Sequence, residues 1–110
     1  MKVHLIKRQA IENFIEQHAS GRRSFEAWLS TIKYADWNRP MDIKDTFASA
    51  DLLGRGSDRV VFNIGGNNYR IIAKYYFGQE KVHLFIKWIG THSEYNELCT
   101  KSQHFNINQF

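Results

Sequence analysis

Between Arg59-Val60-Val61-Phe62-Asn63-Ile64 and the run that starts at Tyr69, the chain carries Gly65-Gly66-Asn67-Asn68. No other short stretch limits the fold as strongly. Gly and Asn tolerate the positive φ that tight hairpin turns require, so the chain must double back there. The flanking runs, 59–64 and 69–77, are rich in Val, Ile, Phe and Tyr and read as strands. After Gly78-Gln79-Glu80-Lys81 a further run, 82–89, has the same character, so three consecutive strands form an antiparallel meander.

The first half follows another period. Lys2-Val3-His4-Leu5-Ile6 alternates polar and apolar residues and predicts a short strand. Over residues 7–18, Ala10, Ile11, Phe14 and Ile15 recur at helical spacing, and Ala19-Ser20-Gly21 supplies a stop. A second helix is predicted from near Arg22 or Ser24, with Ser24 as candidate N-cap and Phe25, Trp28, Leu29 and Ile32 on one stripe, breaking at Asn38-Arg39-Pro40. Residues 41–53 read as a packed connector with a short helical turn, and Gly54-Arg55-Gly56-Ser57-Asp58 as a polar loop joining the helical half to the β half. Thr91-His92-Ser93-Glu94 has capping-box spacing and predicts a short helix to about Leu98. Residues 101–110 lack periodicity and read as a flexible tail, frayed or docked on a partner. The layout is α+β: an N-terminal strand and two helices packed on an antiparallel sheet, then a short C-terminal helix. With 110 residues, 43% of them hydrophobic and 15% aromatic, the chain can bury one core, so 1–110 is read as a single domain.

Bulk chemistry narrows the function classes. Fifteen Lys and Arg against eleven Asp and Glu leave a formal charge of +4, which favours polyanionic partners without requiring them. No apolar run approaches the roughly 18 to 20 residues that cross a bilayer, and residues 1–6 are too few for a signal-peptide core, so a cytoplasmic protein without a membrane partner is expected. A single cysteine, Cys99, rules out an internal disulfide framework or a multi-cysteine zinc site. His4, His18, His83, His92 and His104 show no metal-ligand spacing, and no metal or other cofactor is expected. Gly65-Gly66 opens no helix, unlike a nucleotide-binding glycine loop, and nothing resembles a nucleophile elbow.

Side chains alternate faces along a strand, so Arg70 and Lys74 share one face, while Arg59 and Asn63 lie opposite Val60, Phe62 and Ile64. Lys87 stands between Ile86 and Trp88, with Phe85 and Ile89 as its alternation partners. Depending on register, Asn63, Arg70, Lys74 and Lys87 project from one side as a basic strip. Such a strip is a seat for a phosphate backbone, or else the ordinary solvent face of a half-buried sheet. Like charges on adjacent strands repel unless something anionic offsets them. His92 in the first turn of the last helix and Tyr95 three residues on share a helix side, offering an imidazole for proton exchange and a phenol as donor. Packing onto the sheet is the other reading for Tyr95. Among Phe62, Tyr69, Tyr75, Tyr76, Phe77, Phe85 and Trp88 a base-stacking platform could exist, although core packing is the commoner role.

Taken together, Val60-Val61-Phe62-Asn63-Ile64-Gly65-Gly66-Asn67-Asn68-Tyr69-Arg70 and Phe85-Ile86-Lys87-Trp88-Ile89-Gly90-Thr91-His92-Ser93-Glu94-Tyr95 resemble the HigB family of type II toxins, in the RelE/ParE-like class. Trp37 and residues 42–50 match as well, so the resemblance covers most of the chain. It implies a RelE-like fold and an endoribonuclease, an mRNA interferase, that degrades messenger RNA, usually on the ribosome. It further implies neutralisation by a cognate HigA-type antitoxin with a helix-turn-helix domain, through which alone the toxin reaches operator DNA. Family function maps most directly onto Arg70, His92 and Tyr95, with Asn63, Lys74 and Lys87 in support. The catalytic candidates are thus Arg70, His92, Tyr95 and Lys87, and the RNA-binding candidates Asn63, Lys74 and Arg59. Asn96 stands where the family often has Asp, and Lys74 where Arg is common.

RNA carries its own nucleophile. In internal transesterification the 2′-hydroxyl attacks the adjacent phosphorus and the 5′-oxygen leaves, so the protein needs a base, an acid and positive charge, and no metal. In that chemistry Arg70 and Lys87 stabilise charge, His92 transfers a proton, and Tyr95 orients the phosphate or shares the acid work. A lysine with a lowered pKa is an alternative base. Two other classes stay open at this point. The same fold can poison a target such as gyrase by contact alone, and a general RNA-binding module would hold RNA without cutting it.

Overall fold

In the computed structural model, which describes all 110 residues, the glycine-asparagine turn does what its composition demands. Gly65 and Gly66 both take positive φ, 63° and 66°, and reverse the chain between β3 (Arg59–Ile64) and β4 (Tyr69–Phe77). β4 then pairs antiparallel with β5 (Lys81–Thr91), completing the meander. Ahead of it come β1 (Lys2–Ile6), α1 (Arg8–Gln17), α2 (Arg22–Lys33), α3 (Met41–Thr46) and β2 (Asp51–Leu53), and after it α4 (His92–Thr100). Short 3₁₀ turns lie at Ala19–Gly21 and Gln103–Phe105. No helix is long and apolar enough to cross a membrane.

The architecture is α+β, with a sheet larger and less uniform than the sequence suggested. Its five strands run in the order β1-β5-β4-β3-β2. β1 lies along β5 and parallel to it, from Lys2 opposite Lys81 to Ile6 opposite Phe85, so the sheet is mixed. β2, read from the sequence as part of a connector, is a three-residue strand on the far edge, paired with β3. Three residues are too few for alternation to be visible, and nothing local encodes the direction in which a distant strand pairs.

One face of the sheet builds the main core. Val60, Phe62, Ile64, Ile71, Ala73, Leu84 and Ile86 pack there against Ile11 and Ile15 of α1 and Phe25, Trp28, Leu29 and Ile32 of α2. Phe62 meets the rings of Trp28 and Phe47, each at a centroid distance of 5.1 Å and close to edge-on. Trp37 is fully buried, and its indole N–H donates to Thr46 Oγ at 2.8 Å. α2 starts at Arg22, directly out of the 3₁₀ turn, with Gly21 at the N-cap and no side-chain cap. Ser24 therefore lies inside the helix instead of capping it. Gly21 is required for another reason: a Cβ there would sit 2.7 Å from the Tyr69 ring.

The opposite face carries a smaller apolar patch, Leu53, Val61, Ile72 and Trp88, covered by Tyr95 and Leu98 of α4 and by Phe105 and Ile107 of the tail. The tail docks on its own sheet. β1 ends opposite Phe85, and further along β5 Gln109 N–H donates to Lys87 O at 2.8 Å while Ile89 N–H donates to Gln109 Oε1 at 3.2 Å. A bulge shifts the register on β5: Ile72 faces Trp88 but Ala73 faces Ile86, which leaves Lys87 as the extra residue. Strict alternation therefore fails at Lys87. Phe85 stands across from Lys74 on the outer face, whereas Ile89 belongs to the main core.

Phe62→Ala, at a position 1% exposed, should cost about 3–5 kcal/mol of unfolding free energy in urea titrations. Tyr34→Ala, at a position 77% exposed, should stay within about 0.5 kcal/mol of wild type.

Candidate active site

The two sequence motifs meet through the β4–β5 ladder. Tyr69 pairs with Thr91 and Arg70 with Gly90, which sets Arg70 beside the start of α4. Its guanidinium donates to Tyr69 O at 2.9 Å, to His92 Nδ1 at 3.1 Å and to Asn67 Oδ1 at 3.4 Å. The hairpin turn is tied to the same point, since His92 N–H donates to Asn68 O at 3.1 Å. Thr91 and Glu94 form the expected reciprocal cap: Glu94 N–H to Thr91 Oγ at 3.2 Å and Thr91 N–H to Glu94 Oε1 at 2.8 Å. Gly90 admits no side chain, because a Cβ would lie 2.4 Å from the Trp88 indole. On its other flank Arg70 faces Asn63 of β3.

A guanidinium has only donors, so His92 Nδ1 must accept, and in the neutral ring the proton is assigned to Nε2. The imidazole thus presents an N–H donor away from Arg70. Arg70 itself is only 6% exposed. The ion pairs of the protein engage the Met1 amino group, Arg8, Arg22 and Arg39, so no carboxylate neutralises Arg70.

Tyr95 stands over the same face, its ring 6.2 Å from that of Trp88. Burial first, then the Cys99 thiol and the Asp51 charge, push its hydroxyl far above the ordinary tyrosine range, with Arg70 pulling weakly the other way. It therefore stays a phenol, able to donate. Its ring packs on the sheet beside Trp88, as one of the two readings drawn from sequence has it.

Arg59 and Lys74 face each other across β3 and β4, and Lys74 faces Phe85 across β4 and β5. Arg59 is 6% exposed, its charge disfavoured by burial, and it donates to His104 O at 3.3 Å. The Lys87 ammonium is held below the usual lysine range by burial, then by Arg59, Lys74 and Lys7. Arg59, Asn63, Arg70 and Lys74 share this face, yet they form a track and not a cluster. Four residues of strand separate Arg70 from Lys74, roughly 13 Å. Arg70 reaches toward His92, whereas the Lys87 ammonium lies 5.6 Å from the Phe85 ring centre, toward the other end. Lys87, grouped with the catalytic candidates on sequence, is therefore parted from Arg70 and His92.

Three neighbours of these candidate residues escaped the sequence reading. Lys7 joins the basic end because β1 lies beside β5, a pairing with no local signal. Asp51 comes within electrostatic reach of Tyr95 through the unforeseen β2. Asn108 of the tail accepts from Lys87 Nζ at 3.2 Å.

Compared with known proteins, residues 21–98 match the family model for the HigB toxin, described as the RelE-like toxic component of a toxin-antitoxin system. The chain is 30% identical over 94 residues to the mRNA interferase toxin HigB of Escherichia coli strain K12, an alignment spanning 86% of this chain and 88% of that one. The mRNA interferase HigB of Shigella flexneri gives the same identity and coverage. The mRNA interferase HigB of Escherichia coli O6:H1 is 26% identical over 96 residues, 87% of this chain and 91% of that one. The family match contains Arg59, Asn63, Arg70, Lys74, Lys87, His92 and Tyr95 and stops short of the tail.

Proposed function

The chain belongs to the HigB family, the RelE-like toxic component of a toxin-antitoxin system, and from that premise we propose that it is an mRNA interferase that cuts messenger RNA by internal transesterification. One observation carries the reading. The buried charged residues are Arg59 and Arg70, both cations, both on the same sheet face, and neither has a carboxylate partner. A cation withdrawn from water without a counter-ion is costly, so such a face suits an anion the protein does not itself supply. The phosphates of an RNA strand fit that need.

In this reading the 2′-oxygen bonds to phosphorus as the P–O5′ bond breaks, leaving a 2′,3′-cyclic phosphate and a 5′-hydroxyl. Arg70 balances the charge that grows on the phosphorane, and His92 Nε2–H hydrogen-bonds the departing 5′-oxygen, which takes its proton from water. The Tyr95 phenol donates to a non-bridging oxygen. Asp51, whose charge is felt at Tyr95, is our candidate for taking the 2′-hydroxyl proton. Arg59, Lys74 and Lys87 hold neighbouring phosphates along the track, with Asn63 beside Arg70. The same proposal includes a cytoplasmic setting on translating ribosomes, a HigA-type helix-turn-helix antitoxin as the neutralising partner, and operator DNA reached only through that antitoxin.

Induced expression followed by mapping of 5′ ends should reveal new cuts within translated messages for wild type, and these should vanish with Arg70→Ala. Growth arrest with intact messages would instead make the protein a contact poison. The pH profile tests Tyr95 separately. As a donor it must stay protonated, and a raised pKa extends the competent range upward. Cleavage corrected for alkaline hydrolysis should therefore show no Tyr95-dependent loss as pH approaches the ordinary tyrosine value of 10.0. A falling limb below that value, absent in Tyr95→Phe, would contradict the assignment.

A further inference from the structure

We propose that the far end of the basic face is a subsite for one nucleotide of single-stranded RNA, whose base stacks on Tyr76 and Phe85 while its phosphate meets Lys74 and Lys87. The subsite rests on the nuclease reading above and gives a course to the strand that flanks the cut.

Tyr76 is a large ring near the end of the central strand β4, yet it is 63% exposed. It is not isolated. Tyr76 pairs across the ladder with His83, and His83 with His4 of β1, so three rings cross three strands in one row. The Tyr76 and His83 centroids are 5.9 Å apart, and His4 meets His83 edge-on at 6.1 Å. In the next row Phe85 lies 6.3 Å from His83, with ring planes within 21° of each other. These rings stand on the outer face, away from α1 and α2, where α4 and the tail cover the Leu53–Trp88 patch and the tail reaches Arg59 and Lys87 through His104 O and Asn108 Oδ1. Stacking on exposed ring faces is open to every base and contributes severalfold in affinity per base.

A cleft of about 450 Å³ opens beside them, lined by Asp58, Lys74, Tyr75, Tyr76, Phe85 and Lys87. That volume lies within the range of small-ligand sites. Its chemistry is divided as a nucleotide requires: two ring faces for a base, two ammonium groups for a phosphate, and the Asp58 carboxylate as an acceptor for base amino groups. Lys87 already lies over the Phe85 ring, joining the charged and aromatic halves. Burial, and then the charges of Arg59, Lys74 and Lys7, hold the Lys87 ammonium below the usual lysine range, a cost that a bound anion would relieve. An acidic peptide could use the charges but would leave the ring faces unused, which favours RNA.

The test uses purified wild type, Tyr76→Ala and Tyr76→Phe. Each is titrated at low salt with a short single-stranded RNA that carries 2-aminopurine as stacking reporter and 2′-O-methyl sugars, which remove the nucleophile. Wild type and Tyr76→Phe should quench the reporter alike. Tyr76→Ala should lose the quench and bind about five- to a hundredfold more weakly, and this deficit should shrink on an abasic strand of equal length. Equal binding and quenching by Tyr76→Ala would overturn the subsite, as would a deficit that persists undiminished on the abasic strand. So would loss of antitoxin binding with RNA binding intact, which would give the surface to a protein. Messenger cleavage keeps the two readings apart. If wild type cuts and Tyr76→Ala matches it in both cleavage and stacking, the subsite falls and the nuclease stands. If wild type stacks RNA and cuts none, the subsite stands and the nuclease falls.

Discussion

The register of β4 against β5 sets Arg70 across from Gly90 and Tyr69 across from Thr91, and the candidate site follows from that alignment. A slip of one residue would turn Arg70 into the apolar core beside Phe25 and Trp28 and bring Ile71 out to the site. Several independent features oppose the slip. The glycine turn fixes the β3–β4 hairpin, the bulge at Lys87 resets the alternation of β5, and the main-chain bond from His92 to Asn68 ties the end of β5 back to the turn. The capping box then holds the first turn of α4 over the same point. Arg70 and His92, 22 residues apart in sequence, become direct hydrogen-bond partners.

Polarity is divided between the two sides of the sheet. The side facing α1 and α2 is apolar throughout, while the other mixes a small apolar patch with uncompensated cations. That second side has a direction. At one end Arg70, His92 and Tyr95 combine a buried positive charge with two hydrogen-bond donors. At the other, Lys74 and Lys87 combine charge with the exposed Tyr76 ring and the half-buried Phe85 ring, and roughly 13 Å of strand lies between. An extended polyanion matches such a layout better than a compact ligand, because each end can serve a different phosphate. The tail belongs to this surface too, since His104 O and Asn108 Oδ1 accept from Arg59 and Lys87.

Local chemistry was legible in the sequence and non-local pairing was not. The hairpin at 65–68 and the cap at Thr91 are written in neighbouring residues and appear where composition puts them. β2 is too short to show a period. The parallel pairing of β1 depends on a strand some eighty residues away, and the parity change at Lys87 breaks the alternation by which its face would be inferred. The site divides in the same manner. Arg70, His92, Tyr95 and Lys87 were candidates by residue type and motif, but that the Arg70 and His92 side chains meet while the Lys87 ammonium lies by the Phe85 ring follows only from the assembled sheet. Lys7 and Asp51 enter through the two edge strands, whose places no local pattern reveals.

If Arg70 donates to His92 Nδ1, the imidazole proton lies on Nε2, facing the position assigned here to the departing oxygen. A long-range nitrogen–proton NMR spectrum of His92, recorded before and after adding 2′-O-methyl RNA at low salt, reads this directly. The expected spectrum shows the Nε2–H tautomer in the free protein and clear displacement of the His92 and Arg70 side-chain signals on RNA binding. An Nδ1–H tautomer, or RNA binding that leaves both side chains unperturbed, would contradict a catalytic Arg70–His92 pair.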